Sequence, residues 1–177
     1  DFDGDDKGWT TGEVQRGTSA WAVRTRDSTS GTSSMDSGYR NSNPVPADTY
    51  VSTPMLDLGL PVEAEIQMKI AYYGYSTYEG YQAQISDDGG VTWNKIEPIG
   101  GYGQYRQSCT TCTVSSSSYY NNPLRGQEAF TYYGTTSRGY TYSPDPQGFV
   151  DAKFNLNDYT GQNDIKFRIV AGWSSFS

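Results

Sequence analysis

Residues 62–72, Val-Glu-Ala-Glu-Ile-Gln-Met-Lys-Ile-Ala-Tyr, alternate apolar and polar side chains over most of their length. Successive side chains of a β-strand point to opposite faces of the sheet, so a period of two gives one apolar and one polar face. The stretch therefore predicts a strand that buries one face and leaves the other in water.

The same alternation recurs along the chain, whereas no segment carries a sustained apolar stripe with the helical period of 3.6. Many strands with one polar face indicate antiparallel sheets packed face to face. We therefore predict an all-β sandwich in which Val150–Leu156 and Ile165–Ala171 are neighbours joined by Asn157–Asn163. The remaining candidate strands are Tyr81–Ile85, Ser19–Arg26, Thr49–Leu58 and Val91–Glu97.

The composition favours a single domain over residues 1–177 and excludes several partners. A net charge of -7 and a pI near 4.5 disfavour nucleic acid and anionic membranes, which bind basic surfaces. No apolar run reaches the roughly 20 residues needed to cross a bilayer. Loops rich in Tyr, Ser and Thr, with two close cysteines, are commoner in secreted proteins, so we expect an extracellular or cell-surface location.

Two long segments, Asp27–Ala47 and Gly100–Gly148, lack the strand pattern and are rich in Ser, Gly, Asn or Tyr. Loops longer than about 15 residues in a compact domain are commonly functional. Because aromatic rings stack on the faces of sugars, we expect the second segment to form a ligand-binding surface. Its candidate residues are Tyr102, Tyr105, Tyr119, Tyr120, Tyr132 and Tyr133.

The octapeptide that begins at Ser86 reads S-x-D-x-G-x-T-W, the pattern called an Asp box. We expect Asp88 to accept hydrogen bonds from turn amides, Gly90 to adopt a positive φ, and Trp93 to pack as the chain re-enters the sheet. Sialidase propellers repeat the box in every blade, but it occurs once here. The motif therefore predicts a hairpin tip and excludes a propeller.

Cys109 and Cys112 are separated by two residues and allow three interpretations: a local disulfide, a redox pair or half of a metal site. A redox pair usually begins a helix in a βαβ unit, and zinc needs further soft ligands. The sequence has no His and no third Cys, so we favour a disulfide that closes a small loop.

Acidic residues crowd the N-terminus at Asp1, Asp3, Asp5 and Asp6, which suits either a calcium site or a solvated acidic end. An EF-hand loop is excluded because Gly12 stands where its bidentate Glu is required.

The sequence has no G-x-S-x-G, Walker or H-E-x-x-H motif and no His for acid–base work. A carboxylate pair such as Glu79 with Asp87 or Asp88 is the remaining catalytic option, but such pairs arise easily among 20 acidic residues. We expect no enzymatic activity, and we interpret Trp9, Trp21, Trp93 and Trp173 as residues of the core or its margins.

Five stretches, in order, resemble one family, the MAM-like jelly-roll domains appended to secreted immune inhibitor A-type metallopeptidases and to other prokaryotic surface proteins. The likeness extends nearly from end to end of the chain. The stretches are Phe2-Asp3 with Gly8-Trp9-Thr10, Asp48–Leu58, the Asp box, Asn122–Phe130 (N-P-L-x-G-x-x-A-F) and Leu156–Arg168 (L-x-x-Y-x-G-Q-x-x-I-x-F-R).

The resemblance implies a non-catalytic jelly-roll sandwich with a structural calcium, and Asp3 and Asp48 match two of the family's ligand positions. In the family a further strand follows the Gly-Trp pair, here Gly172-Trp173, whereas this sequence ends at Ser177. Two explanations fit an absent final strand: the sequence is part of a longer chain, or a strand from a neighbouring chain fills the place. The leading function is an accessory binding or adhesion module directed at a glycan or surface protein. The alternative is a subunit of a surface assembly, completed by a strand from another copy.

Overall fold

The computed structural model describes residues 5–14, 21–25, 31, 33–37, 47–60, 63–71, 79–102, 113–116, 122–131 and 149–173. These residues confirm the all-β prediction, because they form antiparallel strands and only short 3₁₀ segments, such as Asn157–Tyr159. None of their helices could cross a membrane. The strands are β1 Thr10–Glu13, β2 Ala22–Arg24, β3 Ser34–Asp36, β4 Ala47–Ser52, β5 Glu65–Ile70, β6 Gly80–Ser86, β7 Asn94–Lys95, β8 Val150–Asn155 and β9 Lys166–Trp173.

Strand β5 lies within the stretch whose alternation predicted it. Glu65, Gln67 and Lys69 are exposed, while the intervening apolar side chains are half-buried or buried. The predicted strand ends at Val62 and Tyr72 lie outside the described residues. The period of two therefore identified both the strand and its buried face.

Within the described ranges five strands form the main sheet, in the order β1-β4-β9-β6-β7, and the pairs β5–β8 and β2–β3 form two further sheets. The prediction that β8 and β9 are neighbours is wrong, because β8 pairs with β5 and β9 lies between β4 and β6. Phe154 of β8 and Phe167 of β9 instead face each other across the core, with ring centroids 5.1 Å apart. Both strands bury an apolar face, and stacking them in opposed sheets brings those faces together.

The main core fills the space between the β5–β8 pair and what we call the inner face of the five-stranded sheet. Ile70, Ala152 and Phe154 from the pair meet inner-face side chains of the larger sheet. The inner-face residues are Val51, Tyr81, Ala83, Phe167, Ile169, Ala171 and Trp173.

Tyr102 belongs to this core, which corrects its assignment to a ligand-binding surface. It is 3% exposed and its ring meets Phe130 edge-on, with centroids 4.9 Å apart. Its hydroxyl accepts a hydrogen bond from the Ala83 amide and donates one to the Ile96 carbonyl, both at 3.0 Å. Burial raises the pKa of Tyr102, so the hydroxyl keeps the proton that it donates.

The opposite, outer face of the five-stranded sheet is covered over one half by residues 113–116 and 122–131. Gly80 and Gly172, which are paired across β6 and β9, leave a slot that Val114 and Leu124 fill. Asn122 fixes this cover by donating to the Gly172 carbonyl at 2.9 Å. We call this region the covered half of the outer face.

Gln82 lies under the same cover, although the alternation of β6 predicted that its face would be wet. Its side-chain amide donates to Gln127 Oε1 and to the Glu128 carbonyl, both at 3.0 Å. A polar side chain can be buried when its hydrogen bonds are satisfied. The exposed face expected for β6 is therefore packed, and part of the predicted long loop packs on it.

Candidate functional site

The other half of the outer face, which we call the open half, contains a groove of about 350 Å³. Its floor includes Tyr50 and Ser52 of β4 with Lys166 and Arg168 of β9. Strand β1 forms one wall, and the Asp-box hairpin forms the other. The volume lies within the range of small-molecule binding sites, roughly 300–1,000 Å³.

Strand register brings the floor residues together. Ser52 lies opposite Arg168 and Tyr50 lies opposite Val170, so alternate residues of β4 and β9 project to the same face. Gly12 of β1 lies opposite Tyr50, and a Cβ there would come within 2.8 Å of the Tyr50 hydroxyl oxygen. The glycine therefore leaves room for the tyrosine ring to extend toward β1.

Asp88 organises the hairpin wall through a dense set of hydrogen bonds. Its carboxylate accepts from the Val91 and Thr92 amides at 2.9 Å and from the Thr92 hydroxyl at 2.6 Å. The Ser86 hydroxyl donates to it at 2.7 Å, and Gly90 has a φ of 100°. These contacts, led by the Thr92 hydroxyl, hold the pKa of Asp88 well below its ordinary value of 3.8.

Trp93 connects the hairpin to the floor of the groove. Its indole Nε1 donates to the Gly90 carbonyl at 3.0 Å, which fixes the ring against the turn. The Arg168 guanidinium carbon lies 4.1 Å from the centre of the Trp93 ring and 5.1 Å from that of Tyr50. Cations are attracted to aromatic faces within about 6 Å, so both rings help to hold the arginine.

Arg168 is the most buried charged group of the groove, at 7% exposure. Its Nε and Nη2 atoms both donate to Gln84 Oε1, at 2.8 and 2.6 Å. Burial lowers the pKa of Arg168 from 12.5 to about 10, although Tyr50 and Asp48 favour the charged form. The guanidinium therefore remains charged at neutral pH while it is largely withdrawn from water.

The residues predicted to bind calcium are not brought together by the described part of the chain. Asp48 is buried in β4, opposite Gly172, and Asp3 lies outside the described residues. Asp5 and Asp6 accept hydrogen bonds from the Lys7 and Gly8 amides in a local turn. The described residues contain no group of three or more acidic, Cys or His side chains that could hold a metal. Calcium binding at Asp48 stays a prediction.

The other predicted sites fall in different places. Trp173 is buried in the core and Trp9 and Trp21 pack against it, as predicted. The prediction for Trp93 is wrong, because Trp93 belongs to none of the core clusters and instead lines the groove on the outer face. Cys109, Cys112 and the five remaining surface tyrosines lie outside the described residues; the tyrosines are Tyr105, Tyr119, Tyr120, Tyr132 and Tyr133.

Sequence reasoning missed Tyr50 and Arg168 as site residues, although a signal was present. Alternation at residues 165–169 placed Arg168 on the polar face of its strand, and Tyr50 lay in a candidate strand. What the sequence could not supply was the register that sets these side chains side by side.

No known family model matches the chain, and no curated protein matches it either.

Proposed function

We propose that this protein is a non-catalytic extracellular module that binds glycans in the groove of its outer face and thereby serves adhesion or targeting. The observation that carries the proposal is the juxtaposition of two half-buried aromatic rings, Tyr50 and Trp93, with charged and hydroxyl-bearing side chains in one concave site. Sugars present apolar ring faces and polar hydroxyl edges, so a groove of this mixed character suits them.

The support beneath the groove favours binding with little rearrangement. Its floor is formed by β4 and β9, which pair over six consecutive residues, Ala47–Ser52 with Arg168–Trp173. The hairpin wall is fixed by the bonds to Asp88. Side chains held by strands and hydrogen-bonded turns lose little further conformational freedom when a ligand binds, which favours affinity.

The number of carboxylates in the groove supports a non-catalytic role. Glycosidases ordinarily use a pair of carboxyl groups on either side of the scissile bond. Among the described residues that line the groove, Glu13 is the one carboxylate.

We include in the proposal a jelly-roll arrangement of the sheets and a location outside the cell, which the resemblance and the composition favour.

A glycan array tests the proposal. The intact chain should bind a defined group of glycans, and Trp93→Ala should weaken that binding because it removes the larger ring of the groove. Lys153→Gln is the control, since Lys153 is exposed on β8, away from the five-stranded sheet. Absence of glycan binding by the intact chain, or equal binding by Trp93→Ala, would contradict the proposal.

A second candidate is a structural subunit of a surface assembly, and the β5–β8 pair favours it. In the described part of the chain this sheet has two strands, whereas the sheet that it packs against has five. The edges of such a small sheet are places where a strand from another copy could pair. Light scattering over a wide concentration range tests this candidate, and a constant monomeric mass would argue against it.

A further inference from the structure

Arg168 combines deep burial with incomplete pairing. Both of its hydrogen bonds to described residues reach one neutral oxygen, Gln84 Oε1. Its Nη1 amino group has no protein acceptor in the described structure and is not fully buried. A guanidinium group only donates hydrogen bonds. Its unused amino group therefore needs an acceptor, and neighbouring donors cannot satisfy it. The groove therefore contains donor capacity that the protein itself leaves unused.

Asp48 favours the charged form of Arg168 electrostatically, but the guanidinium forms no ion pair with it. Within the described ranges no carboxylate forms an ion pair with Arg168, including Glu13 across the same groove. Burying a cation without a paired anion is costly, and aromatic contacts compensate for only part of that cost. An anion entering the groove would supply the missing partner.

Lys166 adds a second cation to the same floor. It lies two residues before Arg168 on β9, so both side chains project to the outer face, and its ammonium forms no ion pair within the described residues. The chain as a whole carries a net charge of -7, so this local excess of positive charge stands against the general trend. Two cations without ion-pair partners, beside the single groove carboxylate of Glu13 among the described lining residues, attract anionic ligands.

The geometry distinguishes among anionic ligands. A guanidinium presents a planar fork that matches a carboxylate, and the neighbouring Tyr50 and Trp93 rings offer apolar surface for the remainder of the ligand. A ligand that carries a carboxylate on a sugar ring uses both features. An acidic peptide would pair with the two cations, but it would make fewer contacts with the Tyr50 and Trp93 rings.

We propose that the groove recognises acidic saccharides, with the sugar carboxylate bound by Arg168 and assisted by Lys166. This inference rests on the proposed glycan-binding function and specifies the chemical class of the ligand. Hexuronic acids and sialic acids share the required carboxylate, and the experiment separates these two sources.

The test compares acidic glycans with the same glycans after their carboxyl groups have been converted to methyl esters. The panel contains oligogalacturonates, glucuronate-containing oligosaccharides and sialyllactose, with lactose as a neutral saccharide and poly-glutamate as an acidic peptide. We expect at least one acidic glycan to bind, and its methyl ester to bind about tenfold or more weakly, because esterification removes the charge-assisted contact. Raising the salt concentration should weaken binding of the acid more than that of the ester.

Variants locate the effect. Arg168→Gln should reduce the affinity for the acid about tenfold or more while leaving the weak affinity for the ester nearly unchanged, and Arg168→Lys should restore part of the loss. Lys166→Gln should show a smaller loss in the same direction, and it provides the test if Arg168→Gln fails to fold. Lys153→Gln removes a charge from another sheet and should have no effect on either ligand.

The outcomes separate this inference from the function on which it rests. Binding to neutral glycans with no loss on esterification, or an unchanged affinity of the Arg168 and Lys166 variants, would overturn the inference but leave glycan binding intact. Stronger binding to poly-glutamate than to every acidic glycan would overturn the assignment to saccharides. Failure to bind any saccharide would overturn the proposed function together with the inference.

Discussion

The two halves of the outer face belong to the same strands but differ in what lies on them. In the covered half, Gly80 and Gly172 form a slot that Leu124 and Val114 fill. In the open half, four residues earlier on β9, Arg168 lies against Trp93 and lines a groove. A change from glycine to arginine along one strand thus accompanies the change from a packed surface to a binding surface. The comparison predicts that covered-half substitutions mainly affect stability, and open-half substitutions mainly affect binding.

The largest expected effect comes from emptying the slot of the covered half. Leu124→Ala should lower the free energy of unfolding by about 2–5 kcal/mol, because it leaves a cavity over the sheet. Leu60→Ala is the matched control, since Leu60 is 96% exposed and should change stability by less than about 0.5 kcal/mol. Urea titrations measure both values, and equal losses would show that the cover contributes no specific packing.

Calcium provides the next test of the covered half, because Asp48 lies opposite Gly172 at its margin. If the resemblance holds, calcium at a hundredfold excess over its Kd should stabilise the fold by about 2.7 kcal/mol. Thermal melting in calcium and in chelator measures the difference, with Asp48→Asn as the variant that should abolish it. Identical melting curves in both conditions would contradict a structural calcium.

Filling the slot from the opposite side should have a smaller effect. Gly172→Ala places a Cβ about 2.7 Å from Asn122 Oδ1 and from Leu124 Cγ. Such overpacking should cost about 1–3 kcal/mol of unfolding free energy. Combining Gly172→Ala with Leu124→Ala relieves the contact with Leu124, so the double variant should lose less than the sum of the single losses. Simple additivity in this cycle would mean that the two residues do not share the slot.

The smallest effect concerns Asp88, which belongs to the wall of the open half. Its pKa is depressed in the folded chain, so its contribution to stability is present above pH 3.8 and is lost as the pH falls below that value toward the folded pKa. Asp88→Asn should therefore lower stability at neutral pH by a small amount, and the difference should disappear in acid. Unfolding curves at several pH values measure this, and a difference that persists unchanged in acid would contradict it.

Local patterns predicted the parts of the fold that depend on a single segment. The alternation around Ile66 located β5 and its buried face, and the Asp box located the bonds to Asp88 and the positive φ of Gly90. Both features are determined by residues close together in sequence, so a period or a turn motif reports them directly.

Contacts between segments that are distant in sequence were harder to predict from the sequence. The pairing of β8 with β5, the burial of Gln82 and the burial of Tyr102 against Phe130 each depend on a partner far away in sequence. The groove has the same origin, because the register of β4 against β9 brings Tyr50 and Arg168 together. Alternation shows which side chains share a face of one strand, but it does not show which strand lies beside it.

The most direct test of the account is a nuclear magnetic resonance titration with the glycan that gives the strongest array signal. We expect the side-chain signals of Trp93 Nε1 and Arg168 Nε, with the backbone amides of β1, to shift most. Signals of the covered half around Leu124 and of β8 around Lys153 should remain in place. Shifts confined to those two regions, with the Trp93 and Arg168 signals unmoved, would contradict the claim that the open half of the outer face is the binding surface.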